Sequence, residues 1–342
     1  MNLMSCHSSS SYIVKRTRGN SDLTVALAGN ANVGKSLIFN RLTGSSQIIG
    51  NWPGKTVEKA EGTLEFEGKK ITVVDLPGIY SFATFGMEEI VSREYIALKK
   101  PDVVINVVDA AVLERNLFFT LQLLEMEAPL LICLNQLDAA EKKGISINIR
   151  QLEKALGVPV IPTIGIRGEG INELTIKTVE FAESGSGKTT TLKYGVAVEE
   201  RICILDRAIQ AENLELEYPS RWIAIKLLEK DLEITDLVAG KSENVIKAAE
   251  ALATEVSNLY GEPSFVIIAA ERYSFASEIA NKVQRQSEVN TTTSDKLELI
   301  TTHRVFGYVA SVGVIAGLLL WTFIIGDFLS GYFHMRCHSF LQ

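Results

Sequence analysis

The sequence predicts an α/β domain, with a mostly parallel sheet and helices on both faces, followed by an all-α helical domain and one transmembrane helix. Three observations carry this reading. Over residues 23–170 short β-rich apolar runs alternate with helical stretches, the rhythm of a buried parallel sheet. Over residues 197–286 the strand signal disappears and apolar residues recur at helical spacing. Residues 306–325 are apolar and carry no charge, a length that crosses the hydrocarbon of a bilayer.

Residues 1–21 are Ser-rich and lack the apolar run of a secretory signal, so they read as a disordered leader. The α/β domain spans residues 22–183. It opens on LTVALAG, and a helix is expected from Lys35. Residues 62–75, with a turn at Glu67, Gly68 and Lys69, are expected to form a hairpin that feeds one antiparallel edge strand into the sheet. The runs ITVVD, DVVINVVD, LLICLNQ and PVIPTIG supply the buried strands. Residues 184–196 read as a polar linker, from the string AESGSGKTTTLKYG. The helical domain follows over residues 197–288. Val245, Ala249, Leu252, Val256 and Leu259 mark an apolar stripe there, and Pro219 and Pro263 stand at expected helix starts. A juxtamembrane segment (289–304) leads to the membrane helix (305–328) and a tail (329–342). His303 and Arg304 favour a cytoplasmic N-terminal side, against the weaker pull of Arg336 beyond the span. Asp327, just past the apolar stretch, is expected at an interface rather than at mid-membrane.

Within 342 residues, 34 Lys plus Arg face 41 Asp plus Glu, a formal charge of -7. That balance argues against a dedicated nucleic-acid binder, which must neutralise phosphates. Cys6, Cys133, Cys203 and Cys337 lie far apart without a CxxC pair, so neither a disulfide framework nor a zinc site is indicated. The tail HMRCHSFLQ reads as an incidental His/Cys grouping rather than a metal tract.

Gly29, Asn30, Ala31, Asn32, Val33, Gly34, Lys35 and Ser36 fit GxxxxGK[ST] between an apolar strand and a helix, the context this pattern requires. Glycine at both ends lets the loop wrap close to phosphates. Its amides, and those at the start of the next helix through Leu37, then point at negative charge. Lys35 is expected to reach the β- and γ-phosphates, and the Ser36 hydroxyl to hold Mg²⁺. A second GKT string over residues 184–189 has Ala182 where the first Gly belongs and no buried strand before it, so it stays with the linker.

Asp75, Leu76, Pro77 and Gly78 close the run ITVVD as DxxG. A carboxylate at that strand end can contact Mg²⁺ through water while the Gly78 amide faces the γ-phosphate. Thr56, between the two motifs, is the candidate second Mg²⁺ ligand. Asn135, Gln136, Leu137 and Asp138 end a later apolar strand as NxxD. Its carboxylate can accept hydrogen bonds from N1 and the exocyclic amine of guanine, a donor pair adenine lacks; with another base the buried carboxylate stays unpaired. The ensemble reads as a P-loop GTPase domain that binds GTP and GDP and hydrolyses GTP, with Lys35, Thr56, Gly78 and Asn32 as candidate catalytic groups.

The motif order resembles the translation-factor-related GTPases. The stretch Gly50, Asn51, Trp52, Pro53, Gly54, Lys55, Thr56, Val57, Glu58, with DLPGIYS after it, resembles the ferrous iron transport protein B family, whose first switch carries NWPG-x-TVE. The likeness continues in Tyr218, Pro219, Ser220, Arg221 and Trp222, in Glu271, Arg272 and Tyr273, and in Asp295 and Lys296 through Thr302, His303 and Arg304. It thus covers residues 22–325. The resemblance implies a helical domain that stabilises bound GDP, an inner-membrane location with the GTPase domain on the cytoplasmic side, and a polytopic Fe²⁺-conducting domain. Only its first helix is present, so the chain reads as C-terminally truncated. The lipid bilayer, a small cytosolic partner protein of the iron transport system and an oligomer are the implied partners, without nucleic acid.

Departures from the pattern bear on mechanism. Ile79 stands where many regulatory GTPases have a water-positioning Gln, so hydrolysis is expected to be slow. Asn32 matches an Asn that potassium-stimulated relatives use beside the phosphates, which makes K⁺ a candidate cofactor. The base-closing loop, usually Ser-Ala-x-x-x-x-Gly, has Ile164 in place of the Ser; the backbone amides of Ile164 and Gly165 are carried as guanine contacts, and an altered nucleotide release follows. Ala31 replaces a frequent Pro with little expected effect. Two other functions fit parts of the pattern. A soluble potassium-stimulated GTPase of RNA modification or ribosome assembly is opposed by the membrane span and the lack of a basic RNA-binding module. A nucleotide-sensing module would show negligible turnover.

Overall fold

The computed structural model describes residues 22–44, 47–82, 86–185, 192–287 and 306–338. The leader, residues 186–191 with most of the second GKT string, the juxtamembrane segment, and the side chains of Asp327, Arg336 and the His/Cys tail lie outside the described residues. Two compact units divide between Ser287 and Glu288.

The first unit holds a seven-stranded sheet ordered β2-β3-β4-β1-β5-β6-β8. Its strands are β1 (Leu23–Gly29), β2 (Gln47–Asn51), β3 (Glu58–Phe66), β4 (Lys69–Asp75), β5 (Val103–Asp109), β6 (Leu130–Asn135) and β8 (Val160–Pro162). From β4 across β1, β5 and β6 to β8 every pairing is parallel. VVINVV and LLICLN are buried along their whole length because helices cover both faces, which explains continuous apolar runs in place of alternation. On one face Val25, Leu27, Val103, Ile105 and Leu131 pack with α1 (Lys35–Thr43) and α6 (Ile171–Ser184). On the other, Ala26, Val104, Leu130 and Ile132 pack under α3 (Leu113–Glu125).

The hairpin forms as expected. Glu67 and Gly68 both take positive φ (50° and 74°), the two-residue turn whose twist suits a right-handed ribbon. It delivers two antiparallel strands rather than one, because β2 adds antiparallel to β3 and becomes the true edge. The run QIIGN is short and exposed, so it carries no burial pattern to read. After β4 come α2 (Met87–Glu94), running into a π-helical turn over Tyr95–Lys99, and later α4 (Leu137–Lys142), β7 (Ile145–Ile147) and α5 (Ile149–Leu156).

The helical residues form α7 (Val196–Ala211), α8 (Ser220–Leu228), α9 (Leu232–Ala239), α10 (Glu243–Tyr260) and α11 (Ser264–Val283). Pro219 and Pro263 cap α8 and α11, where a missing N–H costs nothing. Val245, Ala249, Leu252 and Val256 are buried as the spacing requires; Leu259, near the end of α10, is 58% exposed instead. The strand signal does not wholly end at the linker. Gln284–Gln286 forms β9, antiparallel to β7, a pairing that polar QRQ does not announce. The linker also begins later than expected, since α6 runs through Ala182 to Ser184 and stops at Gly185 (φ 59°).

The helical bundle shares one apolar core with the α3 face of the sheet. At their contact, Arg272 of α11 forks onto both carboxylate oxygens of Glu125 on α3 (2.9 Å each) and reaches Glu229 at 2.8 Å. Tyr194 donates to Glu125, and Lys226 donates to Glu229 at 2.7 Å. Tyr273 stacks on Phe118 at 4.1 Å, and Tyr218 on Trp222 at 4.7 Å. Arg272 and Tyr273 of the string ERY therefore belong to this seam, and Trp222 of YPSRW meets it under the Arg93 guanidinium, 5.8 Å from the ring centre.

The second unit is α12 (Phe306–His338). Its stretch Gly307–Gly326 is long and apolar enough to cross a membrane. The helix continues beyond residue 328, so much of the expected tail is helical.

Candidate functional site

Parallel pairing brings the carboxyl ends of four strands to one edge of the sheet. Leu27 is level with Asp75, Gly29 with Val107, and Asp109 with Asn135. This is where open α/β sheets place ligands, and the motif residues of β1, β4 and β6 converge there.

The loop from Gly29 to Gly34 needs its glycines for stated reasons. A Cβ on Gly29 (φ 151°) would stand 2.6 Å from the Val107 carbonyl oxygen, and one on Gly34 (φ 87°) 2.5 Å from Asn135 Nδ2. Asn32 also takes left-handed backbone (φ 66°) and is exposed. Gly34 precedes α1 without a side-chain cap, so the first amides of that helix, at Lys35, Ser36 and Leu37, have no partner within it. Asn30 is 3% exposed and its Oδ1 has no hydrogen-bond partner. A cradle of amides with no room for side-chain carbon is what a phosphate group requires.

Lys35 forms an ion pair with Asp75, and both side chains are nearly buried (11% and 12% exposed). Burial pushes the Asp75 carboxyl above its usual range, and the Lys35 ammonium opposes that rise. Gly78 lies against the loop: a Cβ there would sit 3.2 Å from Ala31 Cα. Ile79 donates its amide to Gly29 O at 3.2 Å and is 2% exposed, so its side chain is core and cannot orient water.

Ser36 and Thr56 are exposed. Thr56 lies in the turn before β3, four residues ahead of Ala60, the residue level with Asp75. Its loop is fixed from elsewhere. Trp52 N–H donates to Val57 O (2.9 Å), the Trp52 ring meets Tyr95 edge-on at 5.3 Å, and Lys55 pairs with Glu94 at 2.6 Å. Next along α2, Arg93 is 1% exposed and pairs with Asp231 (3.2 Å) and Glu233 at the start of α9.

Asn135 serves as a brace. Its Nδ2 donates to Val33 O (2.9 Å), and its Oδ1 accepts from Gly165 N (2.9 Å). Gln136 (φ 62°) donates to Asn32 O at 3.2 Å, and half-buried Asp138 lies in the first turn of α4. The loop expected to close over the base is adjacent, but the amides of Ile164 and Gly165 are spent inside the protein, on Glu169 O (3.1 Å) and Asn135. Sequence reasoning missed Arg41, whose guanidinium donates to Gly165 O (3.3 Å) and Ile166 O (2.9 Å). It missed Lys55, Glu94 and Arg93 as well, since a charge on a helix or loop has no spacing that names its partner. Burial pushes the Cys133 thiol up to about 12, so it is not a nucleophile. Among the described residues no group of three His, Cys, Asp or Glu could hold a metal on protein ligands alone.

Comparison with known proteins agrees with this geometry. The family described as "Ferrous iron transport protein B" matches residues 23–178, and the one described as "FeoB cytosolic helical domain" matches residues 194–285. The Fe(2+) transporter FeoB of Methanocaldococcus jannaschii is 41% identical over 87% of this chain and 44% of its own length. The Fe(2+) transport protein A/Fe(2+) transporter FeoB fusion protein of Porphyromonas gingivalis is 35% identical over 90% of this chain and 37% of its own. The chain thus spans less than half the length of these curated relatives. Among solved structures, a GDP-bound mutant of the S. thermophilus FeoB G-domain is matched over its entire length and 77% of this chain, with a TM-score of 0.71 and 33% identity. The cytosolic domain of the T. maritima FeoB iron transporter in apo form is likewise matched over its entire length and 77% of this chain, with a TM-score of 0.68 and 32% identity.

Proposed function

This chain belongs to the ferrous iron transport protein B family, and from that premise we propose that it is the GTP-binding and GTP-hydrolysing cytosolic part of a membrane Fe²⁺ uptake transporter, with its first membrane helix. The observation that carries the reading is the convergence of a glycine-built phosphate cradle with NxxD, joined through Asn135.

In this proposal the amides of residues 29–37 bind the β- and γ-phosphates of GTP, and Lys35 turns from Asp75 toward them. Asp75, Ser36 and Thr56 are the residues that would hold Mg²⁺. The ion supplies charge neutralisation at the phosphate oxygens. Asp138 selects guanine by accepting from N1 and the exocyclic amine. Gly78, already against the loop, offers its amide to the γ-phosphate. With Ile79 buried, no side chain at that position orients water, and Asn32 beside the phosphates is the group that would bring a K⁺ ion there.

Switching follows from what touches the two loops. Drawing Thr56 toward the phosphates strains Lys55–Glu94 and Trp52–Tyr95, both anchored on the segment that carries Arg93 to Asp231 and Glu233. Order in the loops is thereby passed to the helical bundle, which in this reading favours the GDP state. The stretch Gly307–Gly326 would lie in the inner membrane with the GTPase domain on the cytoplasmic side. A small cytosolic partner is supported by the P. gingivalis relative, which by name is a fusion with transport protein A; an oligomer is the remaining family expectation.

Single-turnover hydrolysis of GTP by the full chain, in K⁺ and in Na⁺, tests the reading. We expect slow turnover that K⁺ accelerates. Equal rates would remove K⁺ and Asn32 from the mechanism, and no phosphate release in either salt would leave only a nucleotide-sensing module.

A further inference from the structure

Arg41 sits on the exposed side of α1, six residues after Lys35, and among the described residues it has no carboxylate partner. Its bonds go to backbone instead. Nε and Nη2 donate to the consecutive carbonyls of Gly165 and Ile166, the two-point grip that a planar guanidinium can make and an ammonium cannot. The turn they hold is internally closed, with Arg167 N donating to Ile164 O (3.0 Å) and Gly168 N to Gly165 O (3.2 Å). Its inner side is seated on the same helix. A Cβ at Gly165 would press on Ile38 (3.1 Å), Leu37 (3.3 Å) and Asn135 (3.3 Å), so glycine lets the loop lie this close.

Following the amides along this loop locates a free donor. Thr163 N donates to Leu134 O, Ile164 N to Glu169 O and Gly165 N to Asn135 Oδ1. Ile166 N is the first without an acceptor among the described residues. In a trans peptide the carbonyl and the next N–H point in opposite directions. By gripping Gly165 O, Arg41 therefore aims the Ile166 N–H away from α1.

We propose that Arg41 is a positioning residue for the base: it clamps the loop of residues 163–170 and turns the Ile166 amide to the C6 carbonyl of guanine, and so sets the rate at which nucleotide leaves. The proposal rests on the GTPase reading above and adds to it the groups that close over the purine. It also accounts for a loop without the usual Ser: the tether comes from α1 and reads only backbone, which leaves position 164 free to be Ile.

The test follows release of N-methylanthraniloyl-GDP from the full chain by stopped flow, chased with unlabelled GDP, for wild type, Arg41→Ala and Arg41→Lys. The same is done with the corresponding 2-aminopurine nucleotide, which lacks the C6 carbonyl. Arg41→Ala should release GDP about tenfold faster with its association rate unchanged, and Arg41→Lys, able to reach one carbonyl, should fall between. Release of the 2-aminopurine nucleotide should change less than twofold. Unchanged GDP release in Arg41→Ala overturns the clamp, and equal acceleration of both nucleotides overturns the assignment of the Ile166 amide. A wild type that retains no GDP overturns the GTPase reading and this inference together.

Discussion

At the scale of single residues, the site is governed by where a side-chain carbon can and cannot go. Gly34 is left-handed, and its missing Cβ leaves room for the Asn135 amide that ties Val33 to Gly165. Gly34→Ala should therefore lower GDP affinity at least tenfold by calorimetry, because backbone strain of about 1–2 kcal/mol adds to loss of that tie. Gly44→Ala is the matched control: its φ is 59°, with nothing within 4 Å of the added carbon, so it should strain α1 and leave affinity within a factor of two. Both glycines of the loop and the NxxD residues were legible as a pattern, since the spacing of phosphate-binding loops is set by chain geometry. The reason each glycine is needed was not, because the obstructing atoms belong to β5 and β6, remote in sequence. Arg41 was illegible for the same cause, a helix-surface arginine whose partners are 124 and 125 residues away.

At the scale of elements, buried charge fixes how helices meet. Arg272 is 2% exposed and is answered by Glu125 and Glu229. Truncating it leaves Glu125 in the seam without a counter-charge and Glu229 with Lys226 alone, and breaking such a buried pair costs about 3–5 kcal/mol. Denaturant titration of Arg272→Ala should show a loss of that size; a loss under about 1 kcal/mol would mean that solvent reaches the seam. Glu229 makes a separate prediction about pH. Burial pushes its carboxyl up, but Arg272 and Lys226 overcome this and hold it at about 2 against the usual 4.5. The folded state therefore binds the proton less readily than the unfolded chain. The stabilisation is complete above pH 4.5 and is lost as pH falls toward 2. Stability measured across that window should fall more gently in Glu229→Gln than in wild type, and parallel curves would contradict the assignment. Helices of the bundle were read correctly from their stripes and prolines, while β2 and β9 were not, being short, polar or exposed.

At the scale of the whole molecule, two features align. The motif end of the sheet is wired through Lys55–Glu94 and Arg93–Asp231 to the helical bundle, and the bundle precedes the apolar helix in the chain. The order of domains along the chain was visible in composition and periodicity alone. Their fusion through one core was not, because the linker separates them in sequence while Glu125, Arg272 and Trp222 join them in space. Everything proposed about switching presupposes that this chain binds a guanine nucleotide at the strand ends. Isothermal titration calorimetry of the full chain in detergent, with Mg²⁺ and either GDP or ADP, tests that most directly. The account predicts saturable heat for one GDP per chain, none for ADP, and transfer of binding to xanthosine diphosphate in Asp138→Asn. Absence of heat with GDP, or equal heats with GDP and ADP, would contradict it.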